Sequence, residues 1–192
     1  MQSDIDTVLT FWFGRPDDPD WGSMREDWFT KSDRFDQACR DTCLSLHERA
    51  AAGEFEHWAD TPDGAVALVI LLDQLPRNMF RGTPRMYATD PKARALAELI
   101  DARGFKQHYS HVQSLFADLP FEHTENLPDQ VRHVRFVEEH YHGPERDNCL
   151  VASHRHHEII ERFGRFPHRN DILGRETSAE EREFLKEPMS SF

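Results

Sequence analysis

Apolar residues recur every three or four positions along most of this chain. The polar residues between those runs are the ones that begin and end helices. From Asp33 to Ala52, the residues Phe35, Cys39, Thr42, Leu46 and Ala50 share one helical stripe, and Gly53 is placed to stop it. Thr61-Pro62 reads as an N-cap followed by proline in the first turn, opening an apolar run that reaches Leu72. Thr89-Asp90-Pro91 repeats that start for a helix through Leu96 and Ile100 to Gly104. A further helix is predicted over Phe105–Phe116. Asn126 with Pro128 starts another, whose inner stripe is predicted to be Val131, Val134 and Val137. Pro144–Phe163 presents Leu150, Ile159, Ile160 and Phe163, and Thr177-Ser-Ala-Glu180 reads as a capping box ahead of Phe184 and Leu185. No segment between the helices alternates apolar and polar residues, so no strand is required. Helices of about 12–20 residues joined by short turns predict an all-α fold of antiparallel neighbours, a bundle or stacked hairpins. The 192 residues are expected to form a single helical domain, residues 1–192.

Within that frame three stretches carry more polar chemistry than a helix end needs. The first is Arg162-Phe-Gly-Arg-Phe-Pro-His-Arg-Asn170, running on to Leu173-Gly-Arg175. Gly164 can stop the helix and Pro167 prevents its resumption, yet Arg162, Arg165, His168, Arg169 and Asn170 remain to be placed. Guanidinium forks match phosphate and carboxylate geometry, so these residues could form an anion site, with His168 titrating near neutral pH. They could equally pair with acids and helix-end carbonyls and pin the last helices together. Arg165 separates the two readings, because a ligand site would leave its charge partly uncompensated.

The second stretch is Leu71-Leu-Asp-Gln-Leu-Pro-Arg-Asn-Met-Phe-Arg-Gly82. The apolar run before it must be buried and delivers Asp73 to the end of a core helix, while Pro76 puts Arg77, Asn78 and Arg81 on a turn or second short helix. A buried carboxylate is usually paired, here with Arg77 or with an arginine of the first stretch. A catalytic Asp73 is the sharper alternative. The third stretch is Leu119-Pro-Phe-Glu-His-Thr-Glu125, which supplies His123 and Glu125. The three stretches are expected to converge, with Asp73 or Glu125 paired to Arg162, Arg165 or Arg169.

These motifs also carry a resemblance. Together with Val8-Leu-x-Phe-Trp-Phe-Gly14 and Glu180-Glu181, they resemble the signatures of the bacterial uncharacterised-domain family 924 across nearly the whole chain. The third motif departs from that pattern at Phe116-Ala117-Asp118, where aromatic residues are usual, and at Thr124, which replaces Ser. What the resemblance implies is an all-α fold similar to tetratricopeptide-repeat proteins, with no established activity.

Composition narrows the choices. A net charge of −12 disfavours nonspecific nucleic-acid and acidic-membrane binding, so neither is expected as a partner. The charge is uneven: residues 1–64 hold 15 acids against 6 bases, whereas residues 154–175 hold 5 arginines against 3 acids. No apolar run approaches a membrane span, the acidic N-terminus is unlike a signal peptide, and Cys39, Cys43 and Cys149 show no Cys-x-x-Cys spacing. A cytoplasmic protein with reduced thiols is expected. Trp12, Phe13, Trp28, Phe29, Trp58 and Phe80 are assigned to the core. His123-Thr-Glu125 and His156-His157-Glu158 carry ligand types for Zn²⁺, but their spacing fits no named pattern, and no metal is expected. Phosphate-loop, Rossmann and Gly-x-Ser-x-Gly signatures are missing, and no cofactor is expected.

The leading expectation is a helical binding module for an anionic small molecule or peptide group, held by Arg77, Arg81, Glu125, His156, Arg162, Arg165, Arg169 and Asn170. The alternatives are a small-molecule hydrolase or transferase using Asp73, His123 or His168, and a scaffold whose polar layer is structural.

Overall fold

The computed structural model describes residues 2–142 and 144–192. Helix makes up 69% of the structure and no strand occurs among the described residues, which bears out the all-α expectation. None of their helices is long and apolar enough to cross a membrane. The helices gather into two compact units. One comprises the chain through Arg81 with Arg85–Pro120, and the other Gly82–Pro84 with Phe121–Phe192.

The first unit contains α1 (Gln2–Phe13), α2 (Asp33–Ala51), α3 (Pro62–Val69), α4 (Leu75–Met79), α5 (Asp90–Ala102) and most of α6 (His111–Glu122). Helix α3 forms where the sequence places it, with the Thr61 hydroxyl accepting from the Gly64 amide at 3.2 Å. Gly64 allows that turn, because a Cβ there would stand 2.2 Å from the Trp58 carbonyl oxygen. The run from Ala65 to Leu72 is at most 3% exposed and forms the centre of this unit. Trp12 and Trp28 pack against Phe116, with the Trp28 ring edge-on to Phe116 at 4.8 Å, and Phe35 packs against Trp12. Cys39 and Cys43 are buried on α2, and burial pushes both thiols up to about 12, as packing residues require. Two of the expected core aromatics depart from that assignment: Phe29 stands 61% exposed and Phe80 is only half-buried.

Two helix starts differ from expectation. Phe105–His108 is only a short 3-10 turn, and α6 begins at His111. Ser110 and Gln113 cap it reciprocally, the Ser110 amide donating to the Gln113 side chain and the Gln113 amide to the Ser110 hydroxyl. Thr89 does not cap α5. Its hydroxyl donates to the Leu72 carbonyl at 2.6 Å, because Pro76, one turn beyond, has no N–H to offer that oxygen.

The second unit contains α7 (Leu127–His140), α8 (Pro144–Phe163) and α9 (Ala179–Phe184). Asn126 caps α7 as expected, and Gly164, in the left-handed region at φ 66°, ends α8. Ile159, Ile160, Phe166 and Phe184 form the core here, with Phe163 against it. The capping box of α9 lies one residue later than expected, between Ser178 and Glu181. A larger correction concerns α7. Its buried residues are Asp129, Gln130, His133, Phe136 and Val137, whereas Val131 and Val134 are only half-buried. A mostly polar stripe faces inward because it has buried polar partners to meet.

Candidate functional site

In the first unit, the chain between α3 and α4 winds as a single π-helical segment, Ile70–Gln74, in which the Leu75 amide reaches back to the Ile70 carbonyl. Such segments loosen the backbone ladder and are frequent at functional sites. Side chains donate to three carbonyls of this segment. His47 donates from Nδ1 to Leu71 at 2.8 Å, Thr89 donates to Leu72, and Arg77 donates to Asp73 at 2.5 Å. Pro76 therefore does not end the helical path: it sits in the first turn of α4, which carries Arg77 and Asn78 as a second short helix.

Asp73 is fully buried. Its carboxylate lies 3.3 Å from Arg77 and accepts from Gln74 at 2.5 Å. Arg77 also grips Asp90 with both Nη atoms, at 2.9 and 3.1 Å. Burial opposes the Arg77 charge, but Asp73 and Asp90 outweigh it and hold the guanidinium pKa above its ordinary value. Arg81 makes the same two-pronged contact with Asp36, at 2.9 and 3.0 Å, and Asn78 adds a donor at 2.8 Å. Burial works against ionised Asp36, yet Arg81 and Asn78 keep its pKa below the usual carboxylate value.

In the second unit the arginines of the long stretch are engaged in the same way. Arg165 meets Glu181 at 2.7 and 2.8 Å and donates to the Glu176 carbonyl at 2.8 Å. Glu181 is 3% exposed, and the Arg165 bonds hold its carboxyl at about 2, with the Ser178 amide and Asn170 assisting. Arg162 pairs with Glu180 at 2.9 Å and lies over the rings of Phe163 and Phe184. Arg169 is buried, donates to the His123 carbonyl at 3.0 Å, and stacks its guanidinium 4.4 Å from the Phe166 ring centre. Asn170, fully buried, donates to the Thr177 hydroxyl at 3.4 Å. His168 packs near Phe166 and Phe192.

The expected pairing of the motifs is corrected in detail. Glu125 is gripped by Arg175, at 2.7 and 3.0 Å, and takes the Phe166 amide at 2.8 Å. Burial opposes its charge, and Arg175, the amide and Arg169 together hold its pKa below the ordinary value. The residues of the second stretch, Asp73, Arg77 and Arg81, find their partners within the first unit.

The centre that sequence reasoning missed lies at the end of α6. Gln130 lays its amide across the last carbonyls of that helix, donating to Glu122 at 2.6 Å and Thr124 at 2.8 Å. Glu122, 5% exposed, faces His133 Nε2 and His156 Nδ1, each 3.5 Å from one carboxylate oxygen. Burial works against its charge, but the pull of His156 and His133, with the hydrogen bond from His133, draws its pKa below the usual carboxylate value. His156 itself is pushed down to about 4 by burial, against the pull of Glu122, so it is neutral at physiological pH. Its Nδ1–H donates to the Ala152 carbonyl at 2.9 Å, which fixes the tautomer and leaves the acceptor lone pair on Nε2. Phe192 stacks on its ring at 3.7 Å and Phe166 meets it edge-on. No group of three or more His, Cys, Asp or Glu that could hold a metal ion occurs among the described residues. The spacing of Gln130 and His133, one helical turn apart, is the only local signal, and it is a weak one.

Architecture and site together define an all-helical protein in which buried carboxylates and their cationic or imidazole partners pin helix ends. The chain belongs to the family described as "Bacterial protein of unknown function (DUF924)", which matches residues 8–189. A solved structure of a protein of unknown function from Agrobacterium tumefaciens is similar to it at 38% sequence identity. That match covers 96% of this chain and 98% of the other, with a TM-score of 0.84. No curated protein matches.

Proposed function

We propose that the arginine-rich stretch is an intramolecular lock and that the protein works as a helical scaffold. The observation that supports this reading is the engagement of Arg165. Glu181 supplies both of its oxygens, so the charge that an anion would need is already compensated. Arg77 and Arg81 are paired in the same manner, and Arg162 meets one oxygen of Glu180. The tetratricopeptide-repeat-like arrangement implied by the sequence resemblance accords with it, since stacked helical hairpins serve as platforms. Arg165→Ala is expected to lower the melting temperature and to make it less sensitive to pH between 4.5 and about 2, the interval over which Glu181 is titrated out. Its sign follows from the depressed carboxyl: the contribution is present above 4.5 and is lost as pH falls towards the folded value. Phosphate, sulfate and acetate are expected to leave the melting temperature of the wild type no higher than matched ionic strength does. An anion that stabilises the wild type but not Arg165→Ala would restore the anion-site reading.

A small-molecule hydrolase or transferase is the second reading, favoured by one observation. His156 is oriented through Nδ1 by Ala152 and Glu122, and its Nε2 remains an acceptor, the arrangement of a general base. This moves the acid–base role away from Asp73, which is fully buried and engaged by Arg77 and Gln74. Hydrolysis of p-nitrophenyl acetate above the buffer rate that is lost in His156→Gln supports it. Equal rates for the two proteins remove it.

A further inference from the structure

A cavity of about 320 Å³ opens in the first unit beside the end of α2, between α3 and α5. Leu68 and Leu72 lie deepest, and Ala95, Leu96 and Leu99 form the α5 wall. Every lining side chain is aliphatic except two charged ones, Lys92 and Glu56, and both of these are exposed. The volume is at the small end of the range for ligand pockets, and the lining has their usual character, apolar with few polar groups.

The two charges are what make the site specific. Lys92 donates to the Ala51 carbonyl at 2.5 Å, and no carboxylate among the described residues lies within ion-pair distance of it. An ammonium carries three donors, so two remain after that bond. Glu56 likewise has no cationic partner among the described residues, Lys92 included. Its carboxylate lies over Gly53, where a Cβ would come within 3.2 Å of Oε1. The buried or half-buried carboxylates of Asp36, Asp73, Glu125 and Glu181 are closely compensated by guanidiniums, whereas the two charges at this cavity are not compensated by one another. A bare carboxylate ligand would meet Lys92 but be repelled by Glu56, and a bare amine the reverse. A molecule bearing both groups satisfies both.

We propose that this cavity binds a small zwitterionic aliphatic molecule, an α-amino acid with an apolar side chain of the leucine class. The side chain enters over Leu68 and Leu72, the carboxylate pairs with Lys92, and the ammonium with Glu56. The inference is independent of the lock at Arg165, which lies in the second unit.

Isothermal titration of the full chain with L-leucine, hexanoate and hexylamine tests it. Saturable leucine binding is expected, at least about tenfold tighter than either single-charge analogue. Lys92→Gln and Glu56→Gln should each weaken leucine by about tenfold or more, the loss of one charge-assisted contact. Ala95→Trp, an exposed substitution that fills the mouth, should abolish binding, with an unchanged circular dichroism spectrum showing that the fold stands. Hexanoate or hexylamine binding as tightly as leucine overturns the zwitterion assignment. Absence of saturable leucine binding, or leucine binding untouched by Ala95→Trp, overturns the site.

Discussion

Arg77→Ala is expected to cost about 3–5 kcal/mol of folding stability, the range for removing one partner from a buried ion pair. The side chains involved leave little room for water to compensate: Arg77 and Asp90 are each 15% exposed and Asp73 is fully buried. Removing the guanidinium takes the cation from two carboxylates and the donor from the Asp73 carbonyl, which accepts from the same group. Arg77→Lys should recover part of the loss only, because an ammonium cannot reproduce the two parallel bonds to Asp90. Urea denaturation of the three proteins measures both effects. A loss below about 1 kcal/mol for the alanine variant, as at an ordinary exposed site, would show that the hub is not load-sharing in this way.

The second large effect is expected at Glu122. Glu122→Ala removes a 5% exposed carboxylate on which His133 and His156 converge, and should cost about 1–3 kcal/mol, the range for leaving buried polar groups without their partner. The same cluster makes the wild type sensitive to acid. The unfolded chain protonates this histidine below 6.5, whereas folded His156 resists until about 4, so stability falls as pH drops through that interval. Glu122 acts lower down. Its depressed carboxyl contributes stability above 4.5 that is lost as pH falls further. A melting temperature that stays level from pH 6.5 to 4 would contradict the neutral, buried state assigned to His156.

Much of the architecture was legible because its signals are local. Thr61, Asn126, Gly53, Gly104 and Gly164 do what their positions in the sequence indicate, since caps and left-handed stops depend on a few neighbouring residues. The misplacements have equally local causes: the Ser110–Gln113 capping pair sets the start of α6, and Ser178–Glu181 lies one residue beyond Thr177–Glu180, which has the same pattern. The site was less legible because its pairs are distant along the chain. Arg81 finds Asp36 across 45 residues and Arg175 finds Glu125 across 50, and nothing in either neighbourhood announces the partner. Polarity itself misled at α7. Gln130 and His133 face inward and two valines are left half-buried, because the end of α6 and Glu122 supply buried polar partners there that periodicity does not register.

The π-helical winding at Ile70–Gln74 sets the angular phase of everything that follows it up to Arg81. Each residue advances an α-helix by about 100°, so trimming one position from this segment would swing the next turn roughly a quarter of the way around the axis. Arg77 would rotate off Asp90 in the same motion that carried Asn78 off Asp36. A single surplus residue of winding thus acts as a vernier, keeping contacts to two different helices in step, and shortening the segment would break both at once.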